Sequence, residues 1–110
     1  MGKILCVSSA YDKKYYLNPE FGRLPQSIKD DLQVLCVLFT EDIGGILTLE
    51  FDDDGNLLLS TASDEGDILY DEIGSVLKIK HIKAEKREFL ESLEMFYKVF
   101  VLGQPMEDEE

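Results

Sequence analysis

The stretch "ILTLEFDDDGNLLLSTAS", residues 46–63, constrains this chain more than any other. Its residues alternate as a half-buried strand does. Leu47, Leu49 and Phe51 share one face, while Thr48, Glu50 and Asp52 share the other. Asp54-Gly55 between two such runs is a strong hairpin signal. A three-residue loop, Asp53 to Gly55, pairs Asp52 with Asn56, Phe51 with Leu57, Leu49 with Leu59 and Leu47 with Thr61. That register gathers Leu47, Leu49, Phe51, Leu57 and Leu59 on one face. A slip of one residue would expose the leucines of one strand, so the pattern selects its own register. The same aspartates look like the start of a calcium loop. With Gly55 at its sixth position, Glu50, Asp52 and Asp54 fall at the first, third and fifth. The ninth is then Leu58 and the twelfth Thr61, so the closing carboxylate is missing. The stretch therefore reads as a bend, with no metal expected.

A two-stranded hairpin is marginal in water by itself, and its leucine face needs cover. Three amphipathic segments can supply it. The first opens at Leu24-Pro25, where proline suits the first helical position. Ile28, Leu32, Leu35, Cys36, Phe39 and Ile43 then recur at helical spacing, and Gly44-Gly45 ends the run. In the second, Asp64 is read as the N-cap with Asp67 as its partner, and Leu69, Ile73, Val76 and Leu77 as the buried face. Gly74 weakens this segment by about 1 kcal/mol relative to alanine unless it permits close packing. The helix extends to about residue 80; "VLKIKHI" also alternates, so a strand over 76–82 is the alternative. The third segment, "AEKREFLESLEMFYKVFVLG", aligns Phe89, Leu93, Phe96, Tyr97 and Phe100, and Gly103 then Pro105 terminate it. Upstream, strand-like pieces fall near 3–8 and 14–17, with a turn at Asn18-Pro19.

The fold expected is α+β: an antiparallel hairpin, to which the N-terminal segment can add a third strand, packed against three amphipathic helices. Its core should include Leu32, Phe39, Leu49, Phe51, Leu59, Leu93 and Phe96. Residues 1–103 form one domain, since 110 residues is the size of one, and "QPMEDEE", 104–110, is a disordered acidic tail.

Charge narrows the function. The net charge is −12, which speaks against nucleic acid and anionic membranes, since both need a basic face. No run of about 18 apolar residues exists, and "MGKILC" has neither a signal-peptide core nor the residue that myristoylation prefers. A cytoplasmic location is expected. Cys6 and Cys36 then read as free thiols in apolar surroundings. The single His81, among lysines, can build neither a zinc site nor a Ser-His-Asp triad. No phosphate-binding or dinucleotide-binding glycine loop is present. No cofactor and no catalytic constellation are expected.

Three stretches, "YYLNPEFGRLP", "TEDIGGILTLEFDDDGNL" and "FYKVFVLG", together resemble an uncharacterised family of small bacterial proteins, a domain-of-unknown-function family. The resemblance covers nearly the whole chain except the acidic tail. It implies a cytoplasmic single-domain protein and brings no activity or site residues.

What remains is the layout of charge. From Asp30 to Leu77 there are 13 acids and no Lys or Arg, while bases gather at Lys78, Lys80, Lys83, Lys86 and Arg87. This favours a non-enzymatic interaction protein with a basic protein partner. The alternative is a small-molecule binder or enzyme that uses Asp, Glu and Tyr in a pocket. Glu41 and Asp42 oppose the helix dipole at the end of the first helix. Asp64, Glu65 and Asp67 follow the returning strand and should lie near them. These five residues form the expected partner-binding patch, about 20 Å from the hairpin aspartates at strand spacing. Lys78, Lys83 or Arg87 folding back would neutralise it.

Overall fold

The computed structural model describes residues 2–103; the expected acidic tail, 104–110, lies outside the described residues. Four strands form one antiparallel sheet: β1 (Lys3–Ser9), β2 (Lys14–Leu17), β3 (Ile46–Phe51) and β4 (Leu57–Ala62), in the order β2-β1-β3-β4. Both N-terminal pieces are strands, so the sheet is one strand larger than the expected maximum of three. The hairpin has the expected register, with Phe51 opposite Leu57, Leu49 opposite Leu59 and Leu47 opposite Thr61.

Three helices cover one face. Helix α1 (Gln26–Ile43) packs on β1, β2 and β3; α2 (Glu72–Glu85) rests on α1 and α3; α3 (Arg87–Phe100) contacts β4. On the opposite sheet face Ile4, Tyr16 and Leu58 are exposed. A short 3-10 turn over Pro19–Phe21, capped by the Asn18 side chain, delivers Phe21 into the core.

The core follows from this layering. Leu47, Leu49 and Phe51 of β3 are buried, as the alternation requires, against Leu32, Cys36, Phe39 and Ile43 of α1 and Leu93 and Tyr97 of α3. Leu59 and Phe96, expected in the core, are only half-buried on its edge, because β4 is a sheet edge. Ile4 pairs with Glu50 and Cys6 with Leu49, so Leu5 is the extra residue of a β-bulge. Leu5 and Cys6, adjacent in the chain, are consequently both fully buried. At the hairpin end Phe51 stacks on Tyr97, centroids 4.2 Å apart, and meets Phe21 at 5.6 Å.

The opening of α2 departs from expectation. Asp64 is not its N-cap, and residues 63–70 are turns and irregular backbone, with Gly66 at φ 85°. Asp71 is the cap, accepting the Gly74 N–H at 2.8 Å. Gly74 serves this cap, since a Cβ there would lie 2.3 Å from the Asp71 carboxylate. The helix then runs unbroken to Glu85, which excludes the strand over 76–82.

The later start also moves the buried face. Ser75, Ile79 and Ile82 face inward, Ser75 and Ile82 fully and Ile79 in part. The Ser75 hydroxyl accepts from Tyr70 Oη at 3.0 Å and donates to Thr61 at 3.4 Å. At about 100° per residue, Ile73, Val76 and Leu77 fall on the opposite side. The expected buried face of Leu69, Ile73, Val76 and Leu77 is therefore turned outward.

Candidate functional site

The hairpin turn and the opposite end of the sheet differ in how their carboxylates are used. In the turn, Asp52 accepts the backbone N–H groups of Asp54 and Asn56, each at 2.9 Å, and the Asn56 amide at 3.2 Å. The Asn56 N–H in particular holds the Asp52 carboxyl below the usual range. Gly55, at φ 89°, takes the left-handed position that closes the loop. The aspartate run thus builds its own bend. Among the described residues, no group of three or more His, Cys, Asp or Glu side chains is placed to hold a metal ion.

The other end of the sheet gathers four segments. The chain leaves α1 through Gly44 and Gly45, both at positive φ. A Cβ on Gly45 would lie 2.6 Å from the Ala62 carbonyl oxygen and 2.7 Å from the Tyr70 ring, so α1, β4 and the 63–71 segment converge on this glycine. The Gly45 carbonyl accepts the Ala10 N–H at 2.9 Å, which brings in the β1–β2 turn. Tyr11 in that turn donates to the Asp67 carboxylate and accepts the Asp64 N–H at 2.9 Å. The Tyr11–Asp67 bond raises the phenol pKa and lowers that of the carboxyl. The Asp71 N–H donates to the Ile43 carbonyl at 3.2 Å, tying the far side of the segment to α1.

The five expected patch residues therefore all belong to segments meeting at this end, but their charges are not equally available. Asp42 pairs with Lys78 at 2.8 Å, so one of the three anticipated bases does fold back. Asp67 is half-buried and held by Tyr11. Glu41, Asp64 and Glu65 are exposed, and their carboxylates have no hydrogen-bond or ion-pair partner among the described residues.

Two features of this end escape a linear reading. The first is apolar. Ile68, Leu69, Ile73, Val76 and Leu77 are all exposed, from 60% for Leu77 to 92% for Ile68. Asp64, Glu65, Asp71 and Glu72 stand beside them in the chain, all exposed. The second is a cleft of about 640 Å³ between the β1–β2 turn and the second half of α1. Lys13, Lys14 and Tyr15 line one side, Val37, Thr40, Glu41 and Asp42 the other, and Leu69 the rim.

Beneath the cleft the core turns polar. Ser8 and Thr40, both buried, share a hydrogen bond of 2.8 Å. Cys6 and Cys36 are buried free thiols with sulfurs 3.7 Å apart. The hydrogen bond to Cys6, then burial, pushes the Cys36 thiol up. The Tyr15 hydroxyl is buried beside these thiols. Burial pushes its pKa up, and it meets no partner at hydrogen-bonding geometry.

The pattern of these residues matches a family model along residues 2–105. The chain belongs to DUF6145, a family of unknown function. Comparison of this DUF6145 chain with curated proteins and with solved structures gave no match. Within its described residues, no helix is long and apolar enough to cross a membrane.

Proposed function

We propose that the chain is a protein-binding module that acts without catalysis, and that its docking surface is the outward face of α2 with the residues just before it. One observation carries the reading: α2 is apolar on two sides, and only one side is covered by its own fold. A helix apolar all round belongs in an interior, and contiguous exposed apolar surface marks interaction sites. Ile68, Leu69, Ile73, Val76 and Leu77 supply the centre of an interface, and Asp64, Glu65, Asp71 and Glu72 its charged rim.

The rim selects the occupant. Acids flank the apolar centre on its N-terminal side, exposed Lys80 and Lys83 follow it on the helix, and at a net charge of −12 two copies repel at long range. A partner with an apolar stripe bordered by Lys and Arg meets both features, and its approach is accelerated by the field.

The test is affinity capture from native lysate with the wild-type chain, an Ile73→Ser/Leu77→Ser double variant and an Asp64→Lys/Glu65→Lys double variant. The expected result is one protein that is retained by wild type, lost by both variants and released by salt. Cross-linking should place a Lys- or Arg-flanked apolar segment of it against α2. Equal recovery of every retained protein by all three chains would sink the proposal. A wild-type dimer dissolved by the Ile73/Leu77 substitutions would overturn the basic partner in favour of a second copy.

A further inference from the structure

The cleft beside the β1–β2 turn carries a chemistry separate from the α2 face. Its volume, about 640 Å³, lies in the range of small-molecule sites. Lys13 lines its turn side and Glu41 its helix side, while Lys14 also borders it but shares the sheet face of Tyr16. Neither the Lys13 nor the Glu41 side chain has an ion-pair or hydrogen-bond partner among the described residues. The other acid of the helix side, Asp42, is occupied by Lys78.

We infer that this cleft binds a small zwitterion of the amino-acid type, with its carboxylate on Lys13 and its ammonium on Glu41. Each alternative charge type leaves something unused. A simple anion would use Lys13, but the field of a chain at −12 repels it at long range, and Glu41 would oppose it at close range. A simple cation would use Glu41 but face Lys13, and it would find many equivalent acids elsewhere on the surface. A zwitterion carries no net charge, so the long-range field does not oppose it, and it satisfies both sides of the cleft.

Two further observations agree. Val37, Ile43 and Leu69 give the cleft apolar lining for a side chain. Lys13 is the only non-glycine among the described residues with positive φ, at 52°. Such a conformation costs on the order of 1 kcal/mol and collects at functional positions.

The test is titration of the ¹⁵N-labelled full chain with each common free amino acid in turn. For any that bind, the N-acetyl and C-amide forms follow. At least one free amino acid should give saturable shifts confined to Ser9–Lys14 and Thr40–Gly44. Blocking either charge should weaken binding about tenfold, which corresponds to about 1.4 kcal/mol. In Glu41→Gln the free and N-acetyl forms should bind nearly alike, and in Lys13→Met the free and amide forms should converge. No saturable binding by any free amino acid, equal binding of blocked forms, or shifts that map to α2 would each overturn the inference. Because α2 is read by lysate capture and the cleft by these shifts, either proposal can fail alone.

Discussion

Helices α2 and α3 have the same length, 14 residues each, and only Lys86 separates them. Their apolar residues are nonetheless spent in opposite ways. In α3, Leu90, Leu93 and Tyr97 are buried on one stripe, and Tyr97 stacks on Phe51 of the sheet. In α2 the fully buried residues are a serine and an isoleucine, while Ile73, Val76 and Leu77 are exposed. The difference teaches that periodicity identifies a face without saying what that face meets. For α3 one stripe dominates, and the hydrophobic effect carries its middle, Leu90, Leu93 and Tyr97, into the core while Met95 and Phe100 stay exposed. For α2 two apolar stripes compete. The cap at Asp71 and the Ser75 hydroxyl between Tyr70 and Thr61 favour the narrower stripe for the core.

The largest expected effect tests α3. Leu93 is almost fully buried, so Leu93→Ala removes packed methyl groups and leaves a cavity, at a cost of about 2–5 kcal/mol. That is a large share of the stability of a small domain. Urea unfolding measures it, and a loss below about 1 kcal/mol would mean that α3 does not hold the core.

A middle-sized effect separates the two helices. The Asp71 side chain caps α2, whereas the N-terminus of α3 has no side-chain cap. Asp71→Ala should cost about 0.5–2 kcal/mol. Amide exchange should quicken in Glu72–Val76 and leave Leu90–Tyr97 nearly unchanged. Equal loss of protection in both helices would show that they open as one unit, and the contrast between them would fail.

Much of this fold is legible in the sequence, and the reasons are local. Asp54-Gly55 and the period-two leucines specify the hairpin and its register. Pro25 and Gly44-Gly45 bracket α1, and the stripe of α3 shows which side faces the core, although Phe100, expected on it, is 51% exposed and Phe89 and Phe96 are only partly buried. What is not legible depends on distant segments. The placing of β1 between β2 and β3, and the bulge at Leu5, follow from pairing across more than 30 residues. The start of α2 depends on Tyr11, which holds the 64–67 segment out of a helix through Asp67 and the Asp64 N–H. The convergence of Glu41 and Asp42 with the 64–71 segment can be inferred from strand direction. The Lys13 and Lys14 side of the cleft cannot, because it reaches α1 only through the Ala10–Gly45 hydrogen bond. The Asp42–Lys78 pair was foreseeable as one of three options, and only the register of α2 against α1 decides among them.

The smallest effect is the sharpest test of the outward face. Val76 is 66% exposed on α2, while Leu93 on α3 is buried. The same kind of truncation should therefore give a different result. Val76→Ala removes two methyl groups that meet little of the protein's own core, and surface changes of this kind stay within about 0.5 kcal/mol. The sign should lean toward stabilisation, because alanine has a higher helix propensity than a β-branched residue. Urea unfolding of the dilute chain is the measurement. A loss above about 1 kcal/mol would mean that the face is already covered in the free chain, and α2 would then differ from α3 only in degree. A neutral result in isolation, followed by a clear loss once a captured partner is added, would sharpen the comparison instead. Ligation stabilises by an amount that grows with affinity, so a substitution that is silent in the free chain and costly in the complex locates the missing cover of α2 on the partner.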